Sequence, residues 1–174
     1  MQVLKAMTFP TFHYVLDVLE RIVKFDFDLE LPAIPVTEKA AEVKKLSQTG
    51  PVVVHCTSTL YDELKKLDLE LVEADENVNH QILRTLGLKV NDKFRVAVAL
   101  TTASMRGLDY RSSVDGILIS LVIAKSFVNK REAIQGYYRA GRFGDKCYRV
   151  AFKDVDLIDA KAELAYKLSA FKFL

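Results

Sequence analysis

The chain has no tryptophan, only two cysteines, four prolines and seven glycines among its 174 residues. Cys56 and Cys147 stand far apart and form no CxxC pair, which argues against a disulfide-built secreted scaffold and a cysteine zinc site. So little Pro and Gly leaves little room for disordered or low-complexity sequence. An excess of one charge is missing too. The 25 basic and 23 acidic residues leave a net charge of +2, so bulk charge points to neither nucleic acid nor membrane. Any basic site must come from local clustering.

The longest apolar run, Gly116 to Ala124, is too short to cross a bilayer, which takes about 20 residues. Met1 to Phe12 lacks the apolar core and cleavage site of a signal peptide. The expectation is an intracellular, reducing location, neither secreted nor membrane-bound. A phosphate-cradling G-x4-G-K-[ST] loop is also absent, for no glycine precedes Lys-Ser or Lys-Thr. Asp75-Glu76-Asn77 is acidic, but without such a loop upstream it reads as a polar helix N-terminus.

Half the residues are hydrophobic, and the length suits one ordinary globular unit without internal repeats. In TFHYVLDVLERIV, Phe12, Val15, Leu16, Leu19, Ile22 and Val23 share a helical face. FDFDLELPAIP reads as an extended connector, and Thr37 is expected to cap a helix, TEKAAEVKKLSQ, closing at Gly50. From Pro51 short apolar runs alternate with helical segments. The expected strands are PVVVHC, LELVEA, KFRVAVAL, GILISLVIA and CYRVAFKDV. Helices are expected in STLYDELKKL, ENVNHQILRTLGL, REAIQGYYRAG and AKAELAYKLSAF.

Continuous Val/Ile/Leu strands separated by helices predict an α/β fold: a mostly parallel sheet of about five or six strands, helices on both faces, preceded by an N-terminal helix. Residues 1–50 would supply N-terminal helices and connector, and 51–174 the α/β domain, as one compact unit. Function in such sheets sits in loops at the carboxyl ends of the strands. TTASMRGLDYRS follows the third expected strand and REAIQGYYRAGRFGDKC the fourth.

Gln135 and Arg139 share a helix face, and Arg142 follows Gly141, which can end the helix. Arginine's planar fork matches phosphate oxygens and suits the charge of phosphoryl transfer. A solvated basic patch at a helix C-terminus is the plainer alternative. In the other loop, hydroxyls at Thr101, Thr102 and Ser104 suit strand phosphates, and Asp109 suits a ribose hydroxyl or an arginine. Pairing of Asp109 with Arg106 or Arg111 as an ordinary turn is the alternative there. His13 is expected to pack and His80 to be exposed. His55 and Cys56, adjacent on a strand, point to opposite faces and make no nucleophilic pair. No metal site is expected.

TTASMRGLDYRS resembles helicase motif V, T-x4-R-G-x-D, and QGYYRAGR resembles motif VI, Q-x-x-G-R-x-G-R. Both belong, in this order, to the C-terminal RecA-like domain of superfamily 2 helicases. PVVVHCTST looks like motif IV, and Gln81-Ile82-Leu83-Arg84 matches the short Q-x-x-R element between motifs IV and V. The resemblance spans roughly Pro51 to Phe152 and departs from motif VI at Tyr138, where glycine is usual.

The resemblance implies a RecA-like domain over 51–174, with Arg139 and Arg142 aimed at a triphosphate held by another domain. Arg142 would be the arginine finger, and Gln135 would contact the nucleotide or the opposing domain's acidic motif. Thr101 and Gly107 would approach the nucleic-acid backbone, with Gly107 and Asp109 near the ATP ribose or domain interface. Thr57, Ser58 and Arg84 would contact strand phosphates. ATP and Mg²⁺ would bind only together with a partner N-terminal RecA-like ATPase domain, in cis or in trans, and not to this chain alone. The expected polymer partner is DNA or RNA, as a single strand. The alternative is a non-catalytic helicase-fold module that binds nucleic acid or regulates a partner motor.

Overall fold

The structure is a computed structural model that describes residues 27–75, 78, 80–101, 109–127, 132, 136, 139–141 and 146–155. The expected helices over 11–23 and 160–171 lie outside them, as does most of REAIQGYYRAG. In chain order the elements are β1 (Leu29–Leu31), α1 (Val36–Ser47), β2 (Val52–His55), α2 (Ser58–Lys65) and β3 (Glu70–Glu73). Then follow α3 (His80–Arg84), β4 (Arg95–Ala99), β5 (Ile119–Ile123) and β6 (Cys147–Phe152).

Six strands form one sheet in the order β1-β6-β5-β2-β4-β3, and every pairing is parallel. This is the expected α/β architecture, consistent with a RecA-like domain. β2 sits at the centre, with Val53 opposite Ala97 of β4 and Leu121 of β5. All four of its side chains are buried, which is why both alternate faces of VVVH carry no exposed polar residue.

The faces are covered separately. Val52, Val54, Val96, Val98, Val122 and Phe152 pack against Ala40 and Val43 of α1 and Leu60 and Leu64 of α2. On the opposite face Val53, Ala97, Leu121 and Ala151 pack against Leu83, Leu86, Tyr110 and Ala140. Direction and face are linked. The crossovers β1-to-β2 and β2-to-β3 run toward the β3 edge across the α1/α2 face. The return connections β3-to-β4, β4-to-β5 and β5-to-β6 use the other face. One handedness therefore serves every connection, as parallel crossovers require.

Three local features differ from expectation. The segment read as a connector supplies β1, where Leu29 and Leu31 pair with Val150 and Phe152. Two alternate leucines are enough once β6 offers an open edge. Helix α1 starts at Val36 with Pro35 as N-cap, not at Thr37, because the Pro35 carbonyl accepts the amides of both Glu38 and Lys39 at 3.0 Å. The fourth expected strand is shorter at its start. Gly116 turns at φ +79°, Leu118 is exposed, and β5 begins only at Ile119. Gly50 passes under this turn, where a Cβ would stand 2.7 Å from the Leu118 carbonyl oxygen.

Candidate functional site

The outgoing connection of β2 goes to one face, while those of its neighbours β4 and β5 go to the other. This is the switch point where parallel α/β sheets open a crevice at their carboxyl edge. The ladder continues one residue past the strands there: Cys56 donates to the Ala99 carbonyl at 3.1 Å, and Ala124 to that of His55 at 2.9 Å. Thr57, Thr101 and Lys125 emerge directly above.

Thr57 is the N-cap of α2, and its hydroxyl accepts the Leu60 amide at 3.3 Å. One orphan amide of the first turn is thereby satisfied. Thr57 and Ser58 are both exposed at the edge, as is Thr101 beyond β4. Arg84 is exposed in the last turn of α3. Gly107, Gln135, Arg142 and Tyr138 lie outside the described residues, as does most of each motif loop.

What is described of the two loops is laced together. Tyr110 donates its amide to the Arg139 carbonyl at 3.2 Å and forms a parallel bridge with Ala140. Arg111 donates to the Leu83 carbonyl at 2.9 Å and accepts from the Leu86 amide at 3.1 Å. The tail of TTASMRGLDYRS is thus held between the Gln81–Arg84 element and the end of QGYYRAGR. Gly141 takes φ +71°, so the chain does turn where the sequence suggested. Arg149 anchors the assembly from β6, its guanidinium donating to the Ala140 carbonyl at 3.0 Å.

Asp109 pairs with Arg111, Nε to Oδ2 at 2.9 Å. Of the two alternatives read from sequence, the turn pairing is therefore present. It leaves the second carboxylate oxygen: Oδ1 is buried and accepts no hydrogen bond from any described residue. Tyr110 is 1% exposed, and burial pushes its phenol upward against the opposing pull of Arg139. It is a packing residue with a neutral ring.

His55 lies flat against Phe127, centroids 4.4 Å apart and planes 6° from parallel. Burial, aided by the nearby Lys125 ammonium, pushes its imidazole down to about 4. The Lys125 Nζ reaches across to the Leu100 carbonyl at 3.1 Å, bolting the exit of β5 to that of β4. Burial raises the Cys56 thiol to about 12 and the Cys147 thiol to about 11, so neither is a nucleophile near neutral pH. Among the described residues no group of three or more His, Cys, Asp and Glu could hold a metal. None of the described helices is long and apolar enough to cross a membrane.

The His55 shift sets a pH dependence with a definite sign. Between its ordinary value of 6.5 and about 4, the unfolded chain carries a proton at His55 that the folded chain does not. Stability therefore falls as pH falls through that window, by up to roughly 3 kcal/mol. The expected result is that His55→Phe removes this part of the slope in urea titrations run at neutral and mildly acidic pH. A variant that loses stability on acidification as steeply as the parent would refute the buried neutral imidazole.

The sequence reading missed Lys125 and the Lys39–Asp154 ion pair at 2.6 Å. A lysine just after an apolar strand was the only available signal for the first. Nothing local signals the second, because its partners meet only when α1 packs beside the end of β6. No protein-family model matches this chain, and no curated protein matches it.

Proposed function

We propose that the chain is the C-terminal motor domain of a superfamily 2 ATP-dependent helicase or translocase. The observation that supports this most is the lacing of three motif-bearing segments at one side of the switch point. Three backbone hydrogen bonds join the tail of motif V to the end of motif VI and to the Q-x-x-R element with the turn after it. They are Tyr110 to Arg139, which is part of the Tyr110–Ala140 bridge, Arg111 to Leu83, and Leu86 to Arg111. Segments that sense a strand and a nucleotide belong together in such a motor, and these contacts bring the matching segments side by side.

In this reading Thr101 and Gly107 meet the nucleic-acid backbone, with Thr57, Ser58 and Arg84 on strand phosphates. Asp109 keeps Arg111 in place and offers its remaining oxygen to a ribose hydroxyl or to the opposing domain. Arg139 and Arg142 neutralise charge developing on a γ-phosphate that a partner domain holds, and Gln135 orients at the same interface. ATP and Mg²⁺ bind with that partner, whose loop supplies the phosphate cradle. The tie from Tyr110 holds the backbone of Arg139 fixed, so its position does not depend on a floppy loop.

The test is reconstitution. The purified chain alone should turn over no ATP, and mixing with an N-terminal RecA-like domain bearing a phosphate-cradling loop should restore strand-stimulated hydrolysis. Robust ATPase from the pure chain would overturn the assignment. If nucleic acid binds but no such partner restores turnover, the chain is a non-catalytic module instead.

A further inference from the structure

At the carboxyl edge, on the α1/α2 side of the sheet, lies a cavity of about 260 Å³. Its lining among the described residues includes Lys39, Thr57, Leu60, Lys125, Ser126 and Asp154. Two ammonium groups face one carboxylate, a local balance of two minus one in favour of positive charge. The Lys39 side chain is only 9% exposed, while its partner Asp154 is 42% exposed. An ammonium has three donors, and Asp154 takes one of them at 2.6 Å. The Phe152 ring lies 4.9 Å from the same Nζ and offers an attractive face but no lone pair. Among the described residues Asp154 is the ion-pair partner of this ammonium, and its other donors are left for a further acceptor.

The rest of the lining is suited to supply an anion's remaining contacts. Leu100 takes one donor of Lys125, leaving two. The Thr57 oxygen accepts from Leu60, so its own O–H is left to donate. The twelve-residue α1 and eight-residue α2 both begin beside the cavity, and the N-cap of α1, Pro35, has no side-chain acceptor. The positive ends of two helix dipoles therefore border the cavity, with Glu38 the acidic side chain in the first turn of α1. The volume is ample for a phosphate group.

We propose that this pocket binds a single phosphate group between the ammonium groups of Lys39 and Lys125 and the starts of α1 and α2. The inference shares Thr57 with the helicase reading, which places it on a strand phosphate, but its grounds are the cavity and the charges of Lys39 and Lys125. A phosphomonoester of a small molecule and a phosphate of a nucleic-acid strand present the same chemistry here.

The experiment follows amide chemical shifts of the isotope-labelled whole chain during titration with inorganic phosphate, against chloride at matched ionic strength. The expected result is saturable shifts confined to Val36, Thr37, Ser58, Thr59 and Lys125. Lys39→Met and Thr57→Asp should each weaken binding about tenfold, the loss of one charge-assisted contact. Aspartate is itself a good N-cap, so Thr57→Asp keeps the helix start while placing a repelling carboxylate in the pocket. Asp154→Asn should move affinity the other way. Displacement of phosphate by an unphosphorylated single-stranded oligonucleotide identifies a strand phosphate as the ligand. Displacement only by a nucleoside monophosphate identifies a small phosphomonoester. Absence of localised shifts, or undiminished phosphate affinity in Thr57→Asp, overturns the proposal. The helicase reading stands or falls separately, on ATP turnover with a partner domain.

Discussion

Arg142→Ala is expected to lower ATP turnover of a reconstituted two-domain enzyme by about 10³–10⁵, the range lost with an arginine finger in related NTPases. The reason is differential stabilisation: a guanidinium aimed at the γ-phosphate gains most as charge shifts in the transition state. Strand binding by the isolated chain should be nearly unchanged, because the proposed motor-domain reading assigns Arg142 to the nucleotide and not to the strand. Arg139→Ala keeps the backbone tie to Tyr110, so a loss of turnover there reads the missing guanidinium and not a displaced loop. Steady-state kcat with saturating strand is the measurement. A turnover within a few-fold of the parent would remove Arg142 from the transition state and with it the motor-domain reading.

Phe152→Ala is expected to destabilise the fold by about 3–5 kcal/mol, the range for emptying a buried aromatic site. Phe152 is 1% exposed and packs within the α1/α2 core cluster. Its ring also underlies the Lys39 ammonium, so the loss strips a favourable surface from an already buried charge. Against a typical domain stability of about 5–15 kcal/mol, this is a large fraction. With no tryptophan in the chain, urea unfolding is followed by far-ultraviolet circular dichroism. The midpoint should drop while the slope against denaturant holds. An unmoved midpoint would mean that Phe152 is not the packed residue described.

Legibility followed burial. The strands around VVVH, RVAVA and ISLVI could be read from sequence because residues buried on both faces leave mainly apolar runs without polar alternation. LEL could not, since a three-residue edge strand between acids and prolines looks like a connector until β6 is placed beside it. Thr57 was visible as a hydroxyl at a strand exit, and its role as a helix cap follows from the same position. The Asp109–Arg111 pair lies two residues apart and was foreseen as one of two alternatives. Lys39 and Asp154 are 115 positions apart, and Lys125 acts across an intervening strand. Neither relation has a local pattern to read. Long-range electrostatic partners are set by topology, which propensity and periodicity do not encode.

The place of β1 in the sheet has a kinetic consequence. Leu29 pairs with Val150, so the first described strand can find its neighbour only after nearly the whole domain has been made. β2, β4 and β5 are joined by shorter connections and can form a nucleus first, with closure of the long loop left to the end. Until β6 docks, the buried edge of β5 and the leucines of β1 stay open to wrong partners. The amides of Asp28 and Lys153, which donate across the β1–β6 seam to the Arg149 and Leu31 carbonyls, should accordingly be among the last protected in pulse-labelled hydrogen exchange. Early protection there would reverse the order.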